Sequence, residues 1–301
     1  MSSEKTYLYS EIFNSIQGEG QYTGVPTAWL RFFLCNLQCN GFGQKEPTKP
    51  DTYELPYIEI DPSNYKTMED LPVFEYGCDS SYSWAKKFKG LQHKGTPSEI
   101  SKHIRQSMVS KWNPDGLFNY NGAERHMCFT GGEPLMKHAQ TCSVDIMKVY
   151  EEERDLPKFV TYETNGTQPL TEKFIEYYRE YRDVWGGELF LSVSPKLWTV
   201  AGEESRRAIK PEIIASYQKV TTKGQLKFVI NGTPESWEEL EQVVEQLRFH
   251  GVDWPVWIMP AGATVEGQKI CDSDVATEAF NRGYNVSARV HTYLWGNKIG
   301  V

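Results

Sequence analysis

Two cysteines with three residues between them, Cys35 and Cys39, stand in the stretch LCNLQCNGFGQ, a spacing suited to thiolate ligation of an iron–sulfur cluster. A three-thiolate site would want its last cysteine at position 42, which holds Phe42. The next thiol comes only after residues 43–76, in YGCDSSYSW, where Cys78 is followed by Asp79, the hydroxyl of Ser80 and a Tyr-x-Trp pair. That run resumes what CNLQC begins, so Cys78 reads as the displaced third ligand. Three thiolates hold a [4Fe-4S] cluster and leave one iron open, where a substrate binds the metal directly. The same residues also read as buried, inert thiols, because free cysteine is among the most buried residue types.

The elements that must position these thiols alternate. Short β-rich runs at 27–34, 126–131, 158–164, 188–194, 225–230, 256–260 and 285–291 are separated by helical patterns near 97–110, 139–153, 171–182, 211–219, 234–249 and 273–282. Strands alternating with helices imply parallel pairing through right-handed crossovers. The count of about six βα units falls short of the eight in a closed barrel, so the expected fold is α/β, an open or partial β/α barrel. The polar motifs fall at the C-terminal ends of the strands: Cys35, then TGGEP (130–134), ETNG (163–166), SVSPK (192–196), MPAG (259–262) and His291. Ligands bind at that edge in parallel architectures. Residues 43–76 carry five prolines and many charges, as an irregular surface insertion would. The rest shows one composition regime, and we expect a single domain over 1–301.

A chain of 301 residues, 39% hydrophobic and 24% charged, can bury a sizeable core. Its net charge of -8 argues against general affinity for nucleic acid or anionic membrane. The first residues lack a secretory pattern and no run approaches the ~18 apolar residues of a membrane span, so a cytoplasmic location is expected. The six cysteines then read as reduced thiols or metal ligands rather than a disulfide framework.

Taken together, SIQGEG (15–20), G-x-P-x-x-W-L-R (24–31), CNLQC, GCDSSYSW, TGGEP, ETNG, SVSPK, QLKFVI and the closing HTYLWGNKIGV resemble the 7-carboxy-7-deazaguanine synthases, from about Tyr7 to Val301. These are radical S-adenosylmethionine (SAM) enzymes. The family usually has C-x3-C-x2-C without a long insertion, and Ser80 stands where threonine is commoner. The resemblance implies conversion of 6-carboxy-5,6,7,8-tetrahydropterin to 7-carboxy-7-deazaguanine with loss of ammonia, an early step toward queuosine and other deazapurines. The resemblance further implies that a reduced cluster on Cys35, Cys39 and Cys78 would split SAM to methionine and a 5'-deoxyadenosyl radical, which would take hydrogen from the pterin C6.

By the same resemblance, SAM is held by Gly77, Asp79, Gly132, Glu133, Thr164, Asn165, Ser194, Pro195, Lys196 and the turn Met259, Pro260, Ala261, Gly262. Glu133 would face the SAM ammonium. The pterin falls to Ile16, Gln17, Gly18, Glu19, Arg31, Thr130 and His291, with Gln17 and Glu19 on its amino and amide edges and Arg31 forked onto its carboxylate. The α-carboxylate of Val301 would accept from its N–H groups, and Ser80 would join substrate oxygens on Mg2+, which prefers oxygen ligands. Cys128, Cys142 and Cys271 match no ligand position. The family also implies a reducing donor such as flavodoxin and a homodimer. Two other classes share part of the pattern: a glycyl-radical activase, which would lack the pterin-site residues, and a non-catalytic zinc-binding or interaction protein with the three cysteines plus a histidine as structural ligands.

Overall fold

The computed structural model of the protein describes residues 5–296, 299 and 300. Nine strands form one sheet: β1 (Tyr7–Ile16), β2 (Pro26–Phe32), β3 (His93–Gly95), β4 (His126–Gly131), β5 (Phe159–Thr164), β6 (Glu188–Val193), β7 (Gly224–Ile230), β8 (Val256–Pro260) and β9 (Asn285–Val286). Their order is β9-β8-β7-β6-β5-β4-β2-β1-β3. From β2 to β9 every pairing is parallel, while β1 runs antiparallel to both β2 and β3. The mixed α/β architecture with a large, mostly parallel sheet is thus the expected one. The antiparallel edge was not legible, because an irregularity in β1 interrupts its alternation.

The main helices are α1 (Pro97–Ser107), α2 (Lys137–Glu152), α3 (Glu172–Asp183), α4 (Pro211–Ser216), α5 (Pro234–Phe249), α6 (Asp272–Asn281) and α7 (Val290–Trp295). Three begin on a threonine whose hydroxyl accepts from a backbone N–H one turn in: Thr96, Thr171 and Thr233. Each parallel strand has two unlike faces. Met127 and Phe129, Val160 and Tyr162, Leu189 and Leu191, Leu226 and Phe228 join the helices in the main core. Residues at the alternate positions, Thr130, Glu163, Ser192 and Lys227, line a cavity on the opposite face. A period of two therefore separates packing from chemistry along each strand.

The sheet is curled. Gly20 lies four residues beyond the end of β1, a reach of at most about 14 Å. Its N–H nevertheless donates to Ser287 Oγ at 2.8 Å, immediately after β9. Seven strand spacings separate β1 from β9, about 34 Å in a flat sheet. The β1–β2 connection therefore spans a concavity. Among the described residues the edge strands β3 and β9 do not pair, so the sheet stays open.

Two expectations change. The predicted strand at 285–291 ends at Val286, and His291 sits in the first turn of α7. The cause is a tertiary contact: Val290 N–H donates to Gly18 O at 2.9 Å instead of continuing the strand. Residues 43–76 are also more than an irregular excursion. Tyr57, Met68, Leu71 and Phe74 form a small core of their own with Tyr82, Ala85 and Phe88, against which Ile299 packs. Among the described residues no helix is long and apolar enough to cross a membrane.

Candidate active site

The loop after β2 carries the first two thiols. Leu34 and Cys39 hold left-handed backbone angles, φ 89° and 53°, which non-glycine residues seldom adopt. The loop is held by Glu203 Oε1, which accepts from the N–H groups of Gln38 and Cys39 at 2.7 and 2.8 Å. Leu37 N–H points at Cys35 Sγ, 3.4 Å away. The insertion is pinched at its base, where Gly77 N–H donates to Phe42 O at 2.8 Å. This brings Cys78 back to the loop that Cys35 and Cys39 began. Cys35, Cys78 and Phe42 pack against the apolar cluster that contains Cys39, Leu37, Ala201 and Ala208. Burial pushes all three thiols up, Cys35 to about 12. Among the described residues no group of three or more His, Cys, Asp or Glu converges tightly enough for a single metal ion. Cys35 and Cys78 line the cavity and Cys39 lies behind them. Cys142 is in the main core, Cys128 is fully buried in β4 outside that cluster, and Cys271 immediately precedes α6.

The TGGEP turn closes on this loop. A side chain at Gly132 would put its Cβ 2.2 Å from Leu34 O and 2.9 Å from Cys35 Cβ, so only glycine permits the approach. Glu133 N–H donates to Leu34 O at 2.9 Å. Its carboxylate faces inward rather than into the cavity. Thr164 Oγ1 and Leu135 N–H donate to Oε1 at 2.7 and 2.8 Å, and Asn165 N–H donates to Oε2 at 2.8 Å. Burial outweighs these three donors and pushes its pKa up to about 7. Asn165 Nδ2 reaches Asn36 Oδ1 at 3.2 Å and lies 3.8 Å from Cys35 Sγ. Lys196 donates to Ser194 Oγ at 3.0 Å and stands over the Phe42 ring. Gly77, Asp79, Ser80, Gly132, Thr164, Ser194, Lys196, Met259, Pro260 and Gly262 reach the cavity surface, whereas Pro195 and Ala261 do not. Ser80 Oγ is 3.5 Å from Cys78 Sγ.

The opposite wall comes from the β1–β2 connection. Gln17 Nε2 donates to Glu163 Oε1 at 3.2 Å, and its Oε1 accepts from Glu19 N–H at 3.1 Å. Glu19 is gripped from two sides, Oε2 by Lys227 Nζ and Oε1 by Arg289 Nε at 3.1 Å. Burial raises its pKa, but Lys227, Arg289 and His291 outweigh burial and hold the carboxyl well below its usual range. Arg289 also donates to Gly262 O and Ala263 O, each at 3.2 Å, and to Asp79 Oδ2 at 2.9 Å. A Cβ on Gly18 would fall 1.9 Å from His291 Nδ1, so the glycine seats that ring on the loop. Ile16, Thr130, Arg31 and His291 share the same cavity. Val301 lies outside the described residues.

Lys227 and Arg289 were missed from sequence, and Glu163 and Ser192 were marked only as the first residues of the ETNG and SVSPK motifs, with no role of their own. Glu163, Ser192 and Lys227 lie within the strands rather than in the turns beyond them. Their signal was present: charged or polar residues at alternate positions of otherwise apolar strands.

Fold and site together define a mixed α/β protein with a three-thiol loop at one wall of a charged, partly buried cavity. The chain is similar along nearly its whole length to proteins named 7-carboxy-7-deazaguanine synthase. The protein of that name from Rhodopirellula baltica is 25% identical over 310 residues, covering 99% of this chain and 90% of the relative. That from Thermoplasma acidophilum is 24% identical over 296 residues, covering 98% and 100%. The one from Bacteroides thetaiotaomicron is 55% identical over 31 residues, 10% of this chain and 17% of the relative. The crystal structure of QueE from Escherichia coli covers 95% of each chain at 18% identity with a TM-score of 0.49. No family model matches.

Proposed function

We propose that this chain is a radical SAM lyase that converts 6-carboxy-5,6,7,8-tetrahydropterin to 7-carboxy-7-deazaguanine with loss of ammonia, on a partial β/α barrel. One observation carries the reading. Cys35 and Cys78, separated in sequence by a 34-residue excursion (43–76), line one wall of a cavity with Cys39 in the apolar cluster they pack against, and the other wall presents Gln17, Glu19, Arg31 and His291.

The donor set suits a [4Fe-4S] cluster. Three soft thiols sit in an apolar pocket, one faces a backbone N–H, and a bound cluster would deprotonate groups that burial otherwise keeps neutral. Bound there, such a cluster would supply the electron for reductive cleavage of SAM. The chain's own groups bind and orient. Lys196 is a cation for the SAM carboxylate, the turn after β8 flanks the adenine, and Ser80 offers an oxygen for Mg2+. Glu133 acts from beneath, fixing Thr164 and the N–H of Asn165 instead of meeting the ammonium itself. Gln17, Glu19 and His291 present hydrogen-bonding edges to a planar heterocycle. Arg31 binds the pterin carboxylate by charge-assisted bonds. An external donor such as flavodoxin and a homodimeric assembly belong to the same reading.

The test is anaerobic reconstitution with iron and sulfide, then incubation with SAM, a reductant and the carboxypterin. We expect four irons per chain, a product of the mass of 7-carboxy-7-deazaguanine, and loss of both in Cys78→Ala. A protein that carries the cluster and cleaves SAM but leaves the pterin unchanged would refute the substrate; a full cluster in Cys78→Ala would refute the ligand set.

A further inference from the structure

The N-terminal strand contains a device that this function has not yet used. In a regular strand Tyr9 and Glu11, two residues apart, would face the same side. They face opposite sides here. Tyr9 pairs with Phe32 and belongs to the main core, whereas Glu11 pairs with Arg31, and the register shifts between them. Ser10 is the extra residue of a β-bulge and is itself fully buried, donating from Oγ to Gln92 Oε1 at 2.7 Å. Beyond the bulge the alternation continues on the cavity side, where Phe13 stacks on Trp29 with centroids 5.5 Å apart. Bulges of this kind re-aim a side chain beside a site. Without it, Ser10 would stand opposite Arg31 and Glu11 would point into the helix layer.

The re-aimed carboxylate is 1% exposed. Its Oε1 accepts from Arg31 Nε at 2.5 Å and from Tyr82 O–H at 2.8 Å. Its Oε2 is buried without a partner among the described residues. Arg31 is thereby held by Nε alone, and no bond to its two terminal amino groups occurs among the described residues. The Tyr82 ring lies 6.0 Å from the guanidinium carbon and limits its swing. A guanidinium pinned at Nε keeps its Nη1–Nη2 edge for a planar anion. Removing Glu11 would return to Arg31 the freedom of a long side chain.

We propose that Glu11, placed by the bulge at Ser10, is the positioning residue that aims the Nη1–Nη2 edge of Arg31 into the cavity and so selects substrates bearing a carboxylate. This rests on the proposed function, in which Arg31 receives the pterin carboxylate. It adds a requirement: the selectivity depends on a residue that touches no ligand.

The experiment compares reconstituted wild type with Glu11→Gln, Glu11→Ala and Arg31→Lys. The probes are 6-carboxytetrahydropterin and tetrahydropterin without the carboxylate. We expect the wild type to bind the carboxylated ligand at least tenfold more tightly. In Glu11→Ala that preference falls about tenfold and KM rises with kcat little changed, because the lost interaction positions rather than reacts. Glu11→Gln, which keeps a neutral acceptor for Nε, recovers part of it. Adding Glu11→Gln to Arg31→Lys should change nothing further, since lysine has no Nε to hold. Uncoupled SAM cleavage should stay within twofold in Glu11→Gln and Glu11→Ala. A folded Glu11→Ala with wild-type preference overturns the proposal, as does equal weakening of both ligands, which marks a merely structural role. If Glu11→Ala does not fold, an additive effect of Glu11→Gln in the Arg31→Lys background overturns it. A wild type that turns over neither pterin fails the functional reading instead, and one that turns over the carboxypterin without preferring it fails this one.

Discussion

Glu19 is where three separate parts of the chain meet in one charge cluster. It sits on the β1–β2 connection, Lys227 lies within β7 and Arg289 precedes α7, and Lys227 is only 6% exposed. Buried cations of this kind are tolerated because a carboxylate answers them, and removal of one partner of a buried pair costs about 3–5 kcal/mol. Glu19→Gln is therefore expected to destabilise the protein by an amount in that range, measured by chemical denaturation; a loss under about 1 kcal/mol would mean that the cluster is solvated. The pH dependence has a definite sign. The folded-state pKa of Glu19 lies below its unfolded value, so its contribution is present above the ordinary carboxyl range and is lost as pH falls through the lowered value. The difference in unfolding free energy between wild type and Glu19→Gln should accordingly shrink on acidification and be flat from pH 6 to 8.

At the scale of elements, the insertion at 43–76 decides how the cysteine loop is shaped. Loop closure alone would make it expendable, since each doubling of length costs only about 0.6 kcal/mol. Its packing argues otherwise. Tyr57, Met68, Leu71 and Phe74 cover Tyr82, Ala85 and Phe88, which belong to the segment following Cys78. Tyr82 in turn holds Glu11. Fully burying one large apolar side chain is worth about 1.5–3 kcal/mol, so replacing residues 44–75 by a short glycine linker should lower stability by several such increments. We expect a depressed Tm, binding of a hydrophobic dye and incomplete iron loading. A shortened protein with unchanged Tm and four irons would show the insertion to be peripheral to the site.

Across the whole molecule, the curled sheet stays open at its edges and is bridged inside. Gly20 reaches Ser287, Gln21 N–H reaches Gln225 at 2.9 Å and Tyr22 O–H reaches Glu188 at 2.7 Å. Arg289 adds a second tie, joining this connection to Asp79 and to the turn after β8. The cavity walls are held by these few cross-links more than by strand pairing. In Arg289→Gln, amide hydrogen exchange should therefore accelerate at residues 17–25 and 261–268 while β4 to β7 keep their protection, because local openings draw on local contacts. Uniform acceleration, or none, would contradict that division of roles.

The sequence by itself determined the α/β class, the seven parallel strands and most helices, but not the antiparallel β1 and β3, because alternating apolar runs are a local property carried by adjacent residues. It also brought out Cys35, Cys39 and Cys78 and the turns at strand ends, since those motifs are contiguous. Tertiary structure alone decided what depends on distant residues. Lys227, Glu163 and Arg289 meet Gln17 and Glu19 only because the sheet curls. Glu133 turns inward only because Thr164 and Asn165 arrive beneath it. His291 enters a helix because Gly18 offers its neighbour a carbonyl, and Glu11 faces Arg31 because the register shift against β2 turns the side chains of β1 to the other face of the sheet. Each of these outcomes is set by a partner many residues away, and a local pattern holds no record of where that partner comes to rest.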